Sequence, residues 1–528
     1  MPGAGVQGAG VQGAAAAFRI ALSASSSTPA LHSALSTPHE RRTPALRTPH
    51  VTVRIHSKIP LRMVRYGRLA VLVVLFAVIA FLIPPPADVT AQGWRLFAIF
   101  IAVIAGQMLQ PLSSAAIVIL GLAAMVANGT PMRDALGGYA EPSVWLVLVA
   151  MVMARVLMET GAAHRIALFF IRQFGERSLG VGYALVITDV TLAGGVPSIT
   201  ARSGGMVMPV GKAIAELFDS RPGPTAPRLG RFLFATMYQG SAVACAMFLT
   251  GQASNILGAG LALKLVNIDV TWSSWLLAAI VPGIVCCAVV PWIVYRAVPP
   301  EITHTPEATR FARAELARMG PLSRDERIAF AVFTGIGLLW VTSGLHGLDV
   351  TFIAIAGLST LLLAGTLKWD QVTGERTAWD VFIWYGGLLK MGELLNGTGV
   401  TKVFAESVGS IFVGLPWMPV LLLTLLVYFY AHYFFASITA HMLAMFPPFV
   451  LLLTGVGVPP LLAVYSLLCL ANLTAGLTHY GTTTGPILYS QNYVTFGEWW
   501  RAGFVVSIAN LVIWLTIGFG WWKVLDFW

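Results

Sequence analysis

Apolar blocks recur along the chain with short polar breaks between them. Leu69–Ile83, Trp94–Leu109, Trp145–Met158, Trp272–Val294 and Phe504–Trp522 carry almost no charge. A helix needs about 20 largely apolar residues to cross a bilayer core, and each block approaches that length with its flanks. The pattern predicts spans over 67–84, 93–110, 112–128 and 143–160, followed by a short polar stretch, Gly161–Arg177. Two apolar pieces come next, 179–193 and 204–218, each too short for a comfortable crossing. A Gly/Pro/Ser/Thr segment, Gly194–Gly205, separates them. A segment over 231–265 is interrupted at Thr250–Asn255, and a full span follows at 274–298. Pro299–Arg327, with five acids and five arginines, reads as a solvated linker between two membrane halves, 63–298 and 328–528.

The second half repeats the first. Thr160-Gly161 at the end of the fourth span matches Thr398-Gly399, and Ser198-Ile199-Thr200-Ala201 matches Ser437-Ile438-Thr439-Ala440. Each serine is followed at the same distance by a proline, Pro209 or Pro448. The break at Leu249-Thr250-Gly251 recurs more loosely as Leu477-Thr478, ahead of His479 through Pro486. Three ordered landmarks at nearly one offset mark an internal duplication.

Composition agrees. Of 528 residues, 57% are apolar and 11% charged, against about 25% charged in a soluble domain. Mean hydropathy is +0.77. A secreted domain, a disordered chain and a nucleic-acid-binding protein are excluded, and the chain reads as an all-α polytopic membrane protein. Much of the formal charge of +10 lies in residues 1–62, where Arg19, Arg41, Arg42, Arg47, Arg54, Lys58 and Arg62 face one acid, Glu40. That segment is rich in Ser, Thr, Pro and Ala, has no apolar block, and reads as a disordered extension. It is either an acid-poor transit peptide or an upstream extension of a bacterial frame starting at Met63. The second is favoured, because Arg65 and Arg68 already make a cytoplasmic N-terminus. Cys245, Cys286, Cys287 and Cys469 lie in apolar runs without metal-ligand spacing, so no metal or cofactor is expected.

The interruptions carry the chemistry. Unpaired backbone groups are not tolerated in hydrocarbon, so irregular chain at membrane depth is buried or lines a wet cavity. Paired Gly/Pro-interrupted segments in two halves point to a transporter binding site. Each half has a re-entrant hairpin with its tip at Ser-Ile-Thr and a broken helix behind it. Half-helices starting beyond Thr200 and Thr439 aim free N–H groups at one region, which suits an anion. Candidate ligands are Ser198, Thr200 and Arg202 at the first tip, and Ser437, Thr439 and His441 at the second. Thr250 and Asn255 join them from the first break, and Thr482, Thr483 and Thr484 from the second. A cation at membrane depth is functional by default, although Arg202 could instead pair with Asp189, and His441 could be a hydrogen-bonded core histidine. Arg155 with Glu159 and Lys390 with Glu393 fit local ion pairs.

These tips, the Thr-Gly ends before them and the C-terminal run from His479-Tyr480-Gly481-Thr482 through Tyr493-Val494, Trp499-Trp500 and Gly503-Phe504 resemble the divalent anion/sodium symporter family. The likeness is strongest to its citrate/succinate antiporter and 2-oxoglutarate/malate translocator branch, and it covers residues 63–528. The resemblance implies a homodimer of inverted repeats, with a scaffold and an elevator-type transport domain that holds a di- or tricarboxylate between the tips and the breaks. The family's usual tip is Ser-Asn-Thr, whose Asn contacts substrate and whose backbone helps to hold sodium. Here both asparagines are isoleucine, Ile199 and Ile438, which offers no polar ligand. Arg202 and His441 could replace the cations, which predicts sodium-independent exchange of malate, succinate, 2-oxoglutarate or citrate-class anions in a bacterial inner membrane, with the plastid inner envelope as the alternative. A sodium-coupled symporter of the same fold is the runner-up. An enzyme is disfavoured: no histidine pair has metalloprotease spacing, no carboxylate pair is placed for acid/base work, and Ser203 has no evident base.

Overall fold

The computed structural model describes residues 61–400 and 414–528, together with Val403 and Ser407 between them. The extension expected over residues 1–62 lies almost wholly outside the described residues. Among the described residues, eight helices are long and apolar enough to cross a membrane.

The first half opens with helices α1 (Leu61–Ala77), α2 (Ala91–Leu109), α3 (Ser114–Ala127) and α4 (Pro142–Glu159). Thr90 and Ser113 cap α2 and α3 with their hydroxyls, and Pro142 starts α4 where its missing N–H is harmless. Gly161, at φ 83°, ends the fourth span in a left-handed turn, and Gly399 at φ 81° does the same in the second half. The Thr-Gly landmark is therefore one backbone device used twice.

Three expectations change at this point. The stretch Gly161–Arg177 is not simply polar, because Ala162–Phe174 forms an amphipathic helix, α5, that buries Ala163, Ala167, Leu168 and Ile171 on one face. The linker is not wholly solvated either. Pro306–Met319 forms α11, which buries Ala308, Phe311, Ala312 and Glu315 and packs against α5. An antiparallel bridge between Arg177 and His304 pins its entry. In both segments apolar residues recur at helical spacing beneath a charged outer face, so composition alone hides the packing.

The third change concerns the first hairpin. Its arms are α6 (Ser178–Ala193) and α7 (Met208–Leu217), but α7 is entered through a π-helical turn, Thr200–Val207. The irregular tip is therefore only Gly194–Ser198, shorter than the predicted 194–205. Pro209 cannot donate to the carbonyl four residues back, and the turn before it widens. At 1.5 Å per residue α6 is roughly 24 Å long, short of a full crossing.

The first broken helix is α8 (Gly230–Met247), a 3₁₀ turn Leu249–Gly251, and α9 (Ala253–Val266); α10 (Trp272–Ala297) follows. Beyond α11 the second half has α12 (Arg324–Val341), α13 (Val350–Leu363) and α14 (Arg376–Gly397). Its hairpin arms are α15 (Trp417–Ala431) and α16 (Ile438–Gly455), and its broken helix is α17 (Pro460–Leu473) running into a 3₁₀ turn Thr474–Leu477. The chain closes with α18 (Gly485–Tyr489) and α19 (Phe496–Ile513), which continues helically to Val524. α8 packs against α17 and α9 against α16, so the two repeats interlock through their broken helices and second hairpin arm.

Candidate functional site

Both tips, both breaks and the far wall formed by α2, α3 and α14 enclose one cavity of about 380 Å³. Its lining includes Ser198, Ile199, Thr200, Gln252, Ala253, Ser437, Ile438, Thr439, Thr482 and Thr483 on the side of the tips and breaks. Gln107, Gln110, Ser114, Thr377, Asp380 and Trp384 face them.

The side of the tips and breaks is built from helix starts. The turn at Ile199–Thr200, α9 at Ala253 and α16 at Ile438 all begin at the cavity. Ser198 Oγ accepts the N–H of Ala201 at 3.2 Å, and Ser437 Oγ accepts that of Ala440 at 3.5 Å. Each serine thus caps its helix as an acceptor and keeps its own O–H free to donate. Thr200 and Thr483 share a 2.6 Å hydroxyl–hydroxyl bond across the two repeats, which leaves one further proton for a ligand. Ile199 and Ile438 are almost fully buried, so the tips offer hydroxyls and backbone N–H groups instead of side-chain amides.

Six of the predicted ligands therefore come together: Ser198, Thr200, Ser437, Thr439, Thr482 and Thr483. The other five do not line the cavity. Arg202 is fully buried behind the first tip. Its Nε donates to Asp189 Oδ1 at 2.8 Å and its Nη2 to Cys245 Sγ at 3.2 Å. Its Nη1 donates to the carbonyls of Val196 at 2.6 Å and Gly251 at 2.5 Å. The guanidinium thus ties a tip carbonyl to a helix-break carbonyl, and Asp189 neutralises it. The idea of a bare positive charge facing the ligand is corrected by this pairing.

His441 is likewise spoken for. Its Nε2 lies 3.0 Å from Tyr428 O, and its ring stands edge-on to His432 with centroids 4.9 Å apart. His432 in turn places Nε2 2.9 Å from Gly481 O, beyond the second break. A carbonyl only accepts, so each Nε2 carries the proton. Arg202 with Asp189 and His441 with Tyr428 are both 13 residues apart, the same brace built twice with different chemistry.

Thr250, Asn255 and Thr484 are also buried away from the lining. Thr250 Oγ1 donates to Gly194 O at 2.8 Å and accepts from Trp272 Nε1. Asn255 Nδ2 bonds the carbonyls of Cys245 and Phe248, and its Oδ1 accepts from Asn472 Nδ2 at 2.8 Å. Tyr238 and Gln239 on α8 serve the second break, donating to Ala475 O, Thr478 O and Gly476 O. Helix breaks free carbonyls at membrane depth, and these side chains satisfy them. Such residues hold the cavity's shape without facing its contents.

Gln107, Gln110, Gln252, Thr377, Asp380 and Trp384 were not among the expected ligands. Gln107 and Gln110 are polar positions at the end of an apolar span, a signal that could have marked them. Thr377, Asp380, Val381 and Trp384 fall on one helical face of α14, but nothing in the sequence brings that face to the tips. The expected ion pairs form, Arg155–Glu159 at 2.5 Å and Lys390–Glu393 at 2.8 Å. Lys264 on α9 adds contacts to Glu141 and Glu393 at 3.0 and 3.4 Å.

The family model described as the sodium:sulfate symporter transmembrane region matches residues 64–528. Dicarboxylate transporter 1, chloroplastic, of Arabidopsis thaliana is 40% identical over 455 residues, 85% of this chain and 82% of the relative. The putative malate transporter YflS of Bacillus subtilis is 38% identical over 452 residues, 85% of this chain and 95% of its own. The citrate/succinate antiporter of Escherichia coli is 33% identical over 478 residues, 85% of this chain and 96% of its own. With nearly all of the described helices inside the match, this chain belongs to the sodium:sulfate symporter transmembrane-region family.

Proposed function

We propose that the protein is a secondary transporter that exchanges one di- or tricarboxylate for another across a bacterial inner membrane, without sodium and without enzymatic chemistry. The names of its relatives, which include dicarboxylate and malate transporters and a citrate/succinate antiporter, support the substrate class. The cavity supports it chemically. Free hydroxyl protons at Ser198 and Ser437 and the starts of three helices converge on one space, and such groups favour carboxylates.

One observation carries the exchange reading. Arg202 Nη1 bridges Val196 O and Gly251 O, the tip and break carbonyls a coupling ion would be expected to join. The cation is part of the chain and cannot be released with the substrate. His432 and His441 brace the second repeat through backbone carbonyls in the same manner. The basic residues therefore act on the site through the backbone, holding the tips against the breaks.

Obligatory exchange then follows from desolvation. An empty cavity presents helix starts and hydroxyl protons without an acceptor, and unpaired polar groups at membrane depth cost several kcal/mol each. A bound dianion satisfies them, so the loaded carrier crosses more readily than the empty one. The ties among hairpins and broken helices favour movement as one body, an elevator-type step against a scaffold that includes α4 and α14, with a homodimer as the expected assembly. The test is uptake of labelled succinate into proteoliposomes with and without internal unlabelled dicarboxylate, in sodium or choline buffer. Uptake that requires internal dicarboxylate and ignores sodium is the expected result. Accumulation in empty vesicles driven by a sodium gradient overturns the reading.

A further inference from the structure

The two walls of the cavity differ in electrostatic character. The side of the tips and breaks carries no charged residue, only neutral polar and apolar groups and helix starts; its braces, Arg202 and His441, stand behind it. On the facing wall Asp380 is the single charged residue of the whole lining. It shares one face of α14 with Thr377, Val381 and Trp384, all of which line the same space. Among the described residues no lysine, arginine or histidine lies in ion-pair contact with its carboxylate, although Arg376 is one helical turn away. Asp380 therefore adds to the lining of an anion site a negative charge that has no ion-pair partner among the described residues.

We infer that Asp380 is a specificity-determining residue that limits the total negative charge of the substrate, selecting dicarboxylates over fully ionised tricarboxylates. This inference rests on the carboxylate-carrier reading above. Size does not make that selection, because a cavity of about 380 Å³ accommodates either class of anion. Two carboxylates can turn toward the tips at Ser198 and Ser437, where the donors are. A third must point into the remaining space, whose far wall carries Asp380. Like charges brought close in a partly enclosed cavity repel more strongly than in bulk water. The residue acts by exclusion, the repulsive half of specificity.

The experiment measures succinate and citrate affinity of the detergent-purified full chain at a fixed alkaline pH, where citrate is fully ionised, for the native protein, Asp380→Asn and Asp380→Glu. Calorimetry or competition against labelled succinate gives the ratio of the two affinities, which a general loss of folding leaves unchanged. The expected result is a native protein that prefers succinate, an Asn variant whose preference falls about tenfold or more toward citrate, and a Glu variant that keeps the native ratio. An Asn variant that binds succinate with an unchanged ratio overturns the role of Asp380 while leaving the carrier reading intact. A native protein that binds neither anion overturns both.

Discussion

Replacing Arg202 with alanine tests how the site is held together. The side chain has no exposure and makes bonds to Asp189, Val196 O, Gly251 O and Cys245. Removing one partner of a buried ion pair costs about 3–5 kcal/mol, because Asp189 is left charged and buried. Each of the two carbonyls left without a donor adds roughly 1–3 kcal/mol. The total is comparable to the whole stability of many folded domains, about 5–15 kcal/mol, so the first hairpin should undock from the first helix break. In Asp189→Asn/Arg202→Met both charges are gone and mainly the carbonyl terms remain, so the double variant should be more stable than Arg202→Ala alone. The measurements are thermal melting in detergent and dicarboxylate exchange in proteoliposomes. Arg202→Ala should melt lowest and exchange least, with the double variant between it and the native protein. A sodium-dependent recovery of exchange in Arg202→Ala would mark the vacated carbonyls as a cation site. If Arg202→Ala melts like the native protein and exchanges at the native rate, the brace described here has no role.

Three further outcomes follow from the geometry. Ser198→Ala or Ser437→Ala removes a helix cap and a free hydroxyl donor together, and a hydrogen bond to a charged group contributes about 1.5–3 kcal/mol, so substrate affinity measured by calorimetry should fall roughly ten- to a hundredfold. At Gly251 an added Cβ would come within 2.6 Å of Cys245 O, so Gly251→Ala should distort the first break and abolish exchange, while a native rate in proteoliposomes would contradict that packing. At the linker end of α12, burial pushes the Glu326 carboxyl up, but hydrogen bonds from Arg165 and Ser323 and the Arg165 charge outweigh it and hold it below the ordinary glutamate value. Its stabilising contribution is therefore complete above that ordinary value and is lost as pH falls through the lower folded one. Glu326→Gln should lower the melting temperature at neutral pH, and the gap from the native protein should close in acid.

The reach of sequence reasoning differs between elements. Spans and breaks were legible because a bilayer imposes length and apolarity, and because free backbone groups restrict Gly/Pro interruptions to special places. The Ser-Ile-Thr tips were legible through duplication, and the four hydroxyl residues they suggested meet Thr482 and Thr483 of the second break at one cavity. The amphipathic packing of α5 and α11 was missed because charge counts ignore which face a residue occupies. The distinction between facing the cavity and standing behind it stays open in the sequence, which offers Arg202 both as a ligand and as a partner of Asp189; only the packing of α6 against the turn Thr200–Val207 settles it.

The sequence by itself determined that the chain is a duplicated, polytopic membrane protein with paired interruptions, since these depend on local composition and the cost of burying unpaired backbone. Only the tertiary structure decided which polar groups meet. It paired Arg202 with Asp189, set His441 against Tyr428 and His432, and brought Asp380 on α14 across from the tips. Those outcomes depend on how helices distant in sequence pack, and on which neighbour can satisfy each buried donor, acceptor and charge.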